Sequence, residues 1–223
     1  MKKILLFLFT VFSVTLFAQE NITDAVNTSK VKKKTTHSTK SAVVIWEEDF
    51  GGGFPAGWST YTSNTGAGNN GTPSAGNTAE APWKHSMVGS WGYWNSVGTN
   101  ASGNPTAAAD AINSTTAANG FLISDIDSAN HWNGNSGSSS GSTYHYIESY
   151  FTTSAIDLTG WPNVSLEFEH NFRFNNSVDL VVSVSNDSVN WTDYNIQGTA
   201  TNNQESADPE YLNLNISGIA GNQ

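Results

Sequence analysis

The sequence predicts an all-β, antiparallel fold in a single domain, and three observations carry that expectation. Val164, Leu166, Phe168, Phe172 and Phe174 alternate with Ser165, Glu167, Glu169, Asn171 and Arg173, the period of a strand with one buried face; His170 alone interrupts the apolar side. After Asn175-Asn176-Ser177, Val178, Leu180, Val182 and Val184 repeat the alternation, and the short Asn-rich link predicts a hairpin. The composition agrees: 20 Gly, 11 Phe and 8 Trp with only 13% charged residues is turn-rich and aromatic-rich, and no helical period is evident past residue 20.

Taken in order, the chain opens with Met1-Lys-Lys followed by an apolar run that ends at Ala18. This is the anatomy of a secretory leader of residues 1–18, too short and too early for a membrane span, so the protein is expected to be exported and not transmembrane. Residues 19–42 hold Lys30, Lys32, Lys33, Lys34 and Lys40 among Thr and Ser with no apolar period, which predicts a disordered basic linker. The domain then runs over 43–223. Ala42–Phe50 reads as a strand, Gly51–Trp58 as a bend stopped by Pro55, and Trp58–Tyr61 as a returning strand. Thr62–Thr78 is almost all Gly, Asn, Ser, Thr and Ala, the composition of a long surface loop.

Trp83, His85, Trp91, Tyr93 and Trp94 crowd into twelve residues. Such a cluster either completes a core or forms a stacking platform for sugar, with Trp83, Trp91 and Trp94 the candidate ligand contacts. Phe121-Leu-Ile123 predicts a short buried strand that delivers Asp125 and Asp127 to a turn, as calcium ligands or as Asx-turn formers. Ser136–Ser142 is a low-complexity loop. Tyr144–Phe151, Ala155–Leu158 and Gly160–Pro162 lead into the alternating pair, and Trp191–Tyr194 and Tyr211–Ile216 supply further strands.

Charge and residue types exclude several functions. Seven of the nine Lys and Arg lie at or before Lys40, leaving two basic against 17 acidic residues, so the body lacks the basic footprint that nucleic acid requires. With no Cys there are no disulfides, no thiol nucleophile and no Cys-based zinc site. The five His stand in no metal-protease spacing, and no nucleophile-elbow motif occurs. Glu167 and Glu169 share a strand face at about 7 Å, a separation compatible with a glycosidase pair, although adjacent strand carboxylates opposite Arg173 are more often a solvated face. Catalysis is not expected.

Several segments together resemble a known family. Trp46-Glu-Glu-Asp-Phe-Gly-Gly-Gly-Phe-Pro-Ala-Gly-Trp58, Asn119–Asp125, Tyr150–Leu158, Phe168–Arg173 and Val182–Trp191 are similar, in that order, to the exported domains of the cleaved-adhesin and choice-of-anchor J type found in type IX secretion substrates, and more distantly to MAM domains. The resemblance spans roughly residues 43–216. It implies a two-sheet jelly-roll sandwich acting as a secreted or cell-surface adhesion module for an extracellular protein or glycan, commonly with a structural Ca²⁺. The matching ligand positions are Glu48 or Asp49 and Asp125 or Asp127. The family's last strand, with its acidic pair, and its sorting tail have no counterpart here, so the domain is expected to be C-terminally incomplete, with further domains downstream. The alternative reading is an accessory carbohydrate- or protein-binding domain of a larger secreted peptidase or glycosidase. Asp127-Ser-Ala129 and Asp187-Ser-Val189 also resemble short O-glycosylation sites of such proteins.

Overall fold

The computed structural model describes residues 9–18, 42–66, 81–92, 97–99, 105–131, 146–174, 179–197 and 200–220. In chain order the strands are β1 (Phe9–Ala18), β2 (Val43–Val44), β3 (Ser59–Gly66), β4 (Lys84–Ser86), β5 (Val97–Thr99), β6 (Pro105–Ala107), β7 (Phe121–Ile123), β8 (Tyr146–Thr152), β9 (Val164–Asn171), β10 (Val181–Val184), β11 (Thr192–Asn195) and β12 (Glu210–Asn215). Among the described residues two short α-helices, α1 (Ile126–His131) and α2 (Ser217–Ala220), and a 3-10 turn over Ala117–Asn119 complete the set. The expectation of an all-β protein therefore holds: strands dominate and helix is scarce.

The main sheet has the order β12-β9-β1-β7-β4, with β2 paired to β1; β3–β8, β5–β6 and β10–β11 form separate antiparallel pairs. β9 is the longest-paired strand of the main sheet. On one side it runs antiparallel to β12 from Glu210↔His170 to Asn215↔Ser165. On the other it pairs with β1 from Phe9↔Asn171 to Ala18↔Val164, with a register shift between Val11 and Thr15. The apolar run whose composition predicts a leader thus lies between β9 and β7.

The alternation read in β9 is realised: Val164, Phe168, His170 and Phe172 are buried, with Phe168 1% exposed. Phe168 and Phe172 meet Phe50, Trp83, Leu122, Leu180 and Ile196 in one apolar cluster, and Val164 packs with Leu158 and Ile216 in a second. Leu166, Leu212 and Leu214 from the main sheet, Phe151 from β8 and Val182 and Tyr194 from β10–β11 pack against the first. Aromatic rings set the spacing. Trp58 stacks on Phe151 at 5.3 Å and Trp83 meets Phe151 edge-on at 5.2 Å, each pair adding about 1 kcal/mol beyond its area burial.

Four expectations are corrected. The hairpin between the two alternating runs does not form: β10 pairs with β11, Val181↔Asn195 through Val184↔Thr192. Both edges of β9 are already taken, so the second run is sent to another strand pair. The strand expected over Ala42–Phe50 is reduced to Val43–Val44, because Glu48 Oε1 and Asp49 Oδ1 accept the N–H groups of Phe50 and Gly51 (2.8 and 2.9 Å). Side-chain acceptors of this kind compete with the sheet ladder and bend the backbone into turns; Phe50 takes φ +62 while its ring is fully buried. Conversely, residues 62–66, expected in a loop, continue β3 because β8 supplies a partner for them. The expected turn after Asp125 is instead α1, and Asp125 caps its start: Asp125 Oδ1 accepts the Ser128 N–H at 3.0 Å, satisfying a donor of the first turn.

His170 is the one polar group on the buried face of β9. It is fully buried, and among the described residues neither ring nitrogen has a hydrogen-bond partner; Glu210 Oε2 stands 3.5 Å from Nε2. Burial pushes its pKa down to about 4, so the folded protein holds the ring neutral. An unfolded chain protonates histidine near pH 6.5, so the folded state loses stability as pH falls from about 6.5 to 4, by at most about 3 kcal/mol. His170→Leu is expected to remove that acid sensitivity. In thermal melts from pH 7 to pH 4, the variant's Tm should rise relative to wild type as pH falls, whatever their order at pH 7; a constant difference would contradict the assignment.

Candidate functional site

After β4 the chain enters a loop, Met87–Gly92, whose apolar side chains face outward: Met87 is 54%, Val88 45% and Trp91 43% exposed. Exposed apolar groups on a mobile loop would collapse or fray, but this backbone is held at every turn. Gly89 N donates to Ala109 O (3.0 Å) and Ala109 N to Ser90 O (2.8 Å). Trp91 N donates to Asp125 Oδ2 (2.7 Å) and Gly92 N to Ser90 Oγ (2.9 Å). The two glycines permit the close approach: a Cβ at Gly89 would lie 2.3 Å from the Asp110 carbonyl oxygen, and one at Gly92 would lie 2.2 Å from Asp127 Cγ. The Trp91 ring is therefore presented on a preorganised loop, which lowers the ordering cost of binding.

Asp125 is the anchor. It is 3% exposed, and its carboxylate accepts from Ser90 Oγ (2.6 Å), Trp91 N and Ser128 N, tying the loop to the start of α1. Burial pushes its pKa up to about 6; the bonds from Ser90, Ser128 and Trp91 oppose the rise and nearby Asp127 adds to it. Ser90 and Ser124 are also buried, and the Ser124 and Ser149 hydroxyls both donate to Ala81 O at 2.6 Å. The loop, β7 and β8 are thus held together by buried polar bonds.

The residues singled out from sequence divide. Trp91 is exposed; Trp94 lies outside the described residues. Trp83 is corrected: at 1% exposure in the central cluster it is a core ring and cannot stack on a ligand. Of the four carboxylates expected around calcium, Glu48 bonds Phe50 N, and Asp49 bonds Gly51 N and the Asn119 side-chain amide (2.9 Å). Asp125 is committed to three donors. Among the described residues no three His, Asp or Glu side chains converge on a metal position. Glu48, Asp49 and Asp125 thus turn carboxylate oxygens toward N–H and O–H donors of the chain itself.

Glu167 and Glu169 do share the outer face of β9. Glu169 Oε2 accepts from Thr115 N (2.7 Å) and Thr115 Oγ1 (2.8 Å), and Glu167 accepts from the Asn213 side chain opposite it. Both serve to bind neighbouring segments. Of the two expected glycosylation serines, Ser128 is 1% exposed inside α1, so that site is corrected, whereas Ser188 is exposed.

One surface feature escaped the sequence reading. Tyr61 on β3 and Tyr150 on β8 are register partners whose rings stack at 4.8 Å, with Tyr61 40% exposed. Tyr61 falls at the end of a predicted strand, but 89 residues separate it from Tyr150 and only the β3–β8 register joins them. Trp191 and Tyr211 are exposed too.

Comparison with protein-family models, with curated proteins and with solved structures returned no match. The class is therefore given by the fold alone, an all-β protein with no helix, among the described residues, long and apolar enough to cross a membrane.

Because the Asp125 pKa is raised on folding, its ionised form costs stability above about pH 6, and that cost is relieved as pH falls toward 4. Asp125→Asn cannot be relieved in this way. The variant is expected to lose ground to wild type by up to about 3 kcal/mol between pH 7 and pH 4, in urea titrations at each pH. A pH-independent difference would show that the carboxyl is not buried as described.

Proposed function

We propose that this chain is an exported, non-catalytic binding module of two-sheet jelly-roll type, which contacts an extracellular protein or glycan through the loop Met87–Gly92 with Trp91 at its head. The observation that carries the reading is the pairing of an exposed indole, 43% accessible, with a backbone fixed by a buried carboxylate. A large ring kept in water by a rigid loop is the arrangement expected of a contact residue, since aromatic anchors dominate binding energies and preorganisation limits their ordering cost. The acidic residues support a non-catalytic role: Asp125, Glu167 and Glu169 each bind neighbouring donors of the same chain. Export is supported by the leader anatomy of residues 1–18. The residue pattern's resemblance to the cleaved-adhesin type points the same way. A second reading, an accessory domain of a larger secreted hydrolase, draws on the same exposed ring and differs only in what is attached to the module.

Trp91→Ala is expected to abolish retention on a glycan array or an extracellular-matrix protein panel while shifting Tm little, because an exposed side chain away from caps and core changes stability by only about 0.5 kcal/mol. Unfolding of the variant, or undiminished retention, would remove the loop from the binding surface. Addition of calcium or of a chelator should leave Tm unchanged; a calcium-dependent rise would restore a metal to the domain.

A further inference from the structure

β3 and β8 bring together two tyrosines that 89 residues of chain separate. Tyr61 and Tyr150 are register partners, and their rings stack with centroids 4.8 Å apart and planes 27° from parallel. Neighbouring pairs hold that register: Ser59↔Thr152 and Thr60↔Phe151 on one side, Thr62↔Ser149 and Ser63↔Glu148 on the other. The Ser149 hydroxyl donates to Ala81 O at 2.6 Å and lies 3.4 Å from Thr62 Oγ1, while Phe151 stacks on Trp58. A slip of one residue would break these contacts together, so the two phenols face each other as a fixed feature of the fold.

The two rings differ in access. Tyr150 is half-buried and packs against the central cluster, whereas Tyr61 stacks on it at 40% exposure and meets solvent. The pair thus combines a phenol that a dissolved oxidant reaches with a second phenol already in contact with it. Directly opposed side chains have Cβ atoms about 5 Å apart, so rotation about side-chain bonds is enough to bring two ring carbons together while the strands stay in register. A covalent link at this place has a structural consequence. With no Cys the protein forms no disulfide, and the segment between the two tyrosines carries β4, the Met87–Gly92 loop, β7 and α1.

We propose that Tyr61 and Tyr150 are an oxidative cross-linking site, at which a one-electron oxidant, a haem peroxidase with hydrogen peroxide, joins β3 to β8 as a dityrosine. Each phenol gives up one electron and one proton and becomes a phenoxyl radical. The two radicals pair their electrons in a carbon–carbon bond between ring positions ortho to the hydroxyls. Each of those carbons then releases its proton, each oxygen takes one up, and both rings regain aromaticity. The protein loses two hydrogen atoms in all, and one hydrogen peroxide accepts two electrons and two protons to give two waters. Tyr61, the exposed ring, is oxidised first, and its radical meets Tyr150 before it meets another molecule. The link closes a loop of 89 residues and restricts the unfolded chain as a disulfide does elsewhere. Nothing in this depends on what the Trp91 loop contacts.

The test uses the full chain, folded and dilute enough that collisions between molecules are rare, treated with a haem peroxidase and a limiting amount of hydrogen peroxide. Beyond Lys40 the basic residues are Lys84 and Arg173, so trypsin acting on the unfolded product places the two tyrosines in separate fragments, 41–84 and 85–173. The expected results are loss of two hydrogen atoms from the mass of the intact monomer, dityrosine fluorescence, and the two fragments running as one. Tyr61→Phe and Tyr150→Phe, which keep both rings, should each remove the joined fragment, whereas Tyr211→Phe, a change at an exposed ring elsewhere, should leave it. In urea, where the register is lost, the yield should fall about tenfold. The linked protein should melt roughly 5–10 °C above the untreated one. Fragments that stay separate, a joined fragment that survives in Tyr61→Phe, covalent dimers as the sole product, an equal yield in urea, or an unchanged Tm would each overturn the proposal.

Discussion

The structure depends on β9. One of its faces is buried against the aromatic cluster, and both of its edges are hydrogen-bonded, to β12 on one side and to β1 on the other. A strand so constrained has no freedom of register, because a slip of one residue would turn Phe168 and Val164 to water and bring Glu167 and Glu169 into the core. The rest of the chain is arranged around that requirement. The second alternating run cannot join β9 and pairs with β11; Phe174 turns away and bonds to Gln204 and Asn203; β12 takes the outer edge and carries Leu212 and Leu214 to the core. Even the buried His170 follows from it, since its position in the alternation leaves it nowhere else to point.

A second constraint is chemical. Beyond Lys40 there are two basic residues for 17 acidic ones, so the carboxylates find few cations to pair with. Many instead accept from backbone N–H groups and neutral side chains. Glu48 and Asp49 end the first extended segment, Asp125 caps α1 and holds the Trp91 loop, Glu169 holds Thr115, and Asp187 gathers Val189 and Asn190. The bonds from Asn190 and Val189 hold the Asp187 carboxyl well below the usual carboxylate range. Among the described residues acidic side chains thus fix turns where the chain has no disulfides to do so.

The aromatic residues divide along the same line. Phe50, Trp83, Phe121 and Phe168 are almost fully buried, and Trp58 and Phe151 stack against them. Trp91, Tyr61, Trp191 and Tyr211 remain at the surface. Among the described residues these surface rings are the ones open to a partner, and the backbone of Trp91 is held by the buried Asp125 carboxylate.

The strand content, the buried face of β9, the late strand over Tyr211–Ile216 and the scarcity of helix were legible from residue alternation, because a period of two is a local property that any antiparallel partner exploits. The acidic body was legible as well, since composition needs no geometry. Partner choice was not: which strand lies beside β9 is settled by competition for its two edges, which no local pattern encodes. Nor could spacing separate Trp83 from Trp91, eight residues apart in one cluster, or a metal-binding carboxylate from one that caps a helix. Those distinctions depend on which side chains meet the core and which donors reach each oxygen, and only the packed chain decides them.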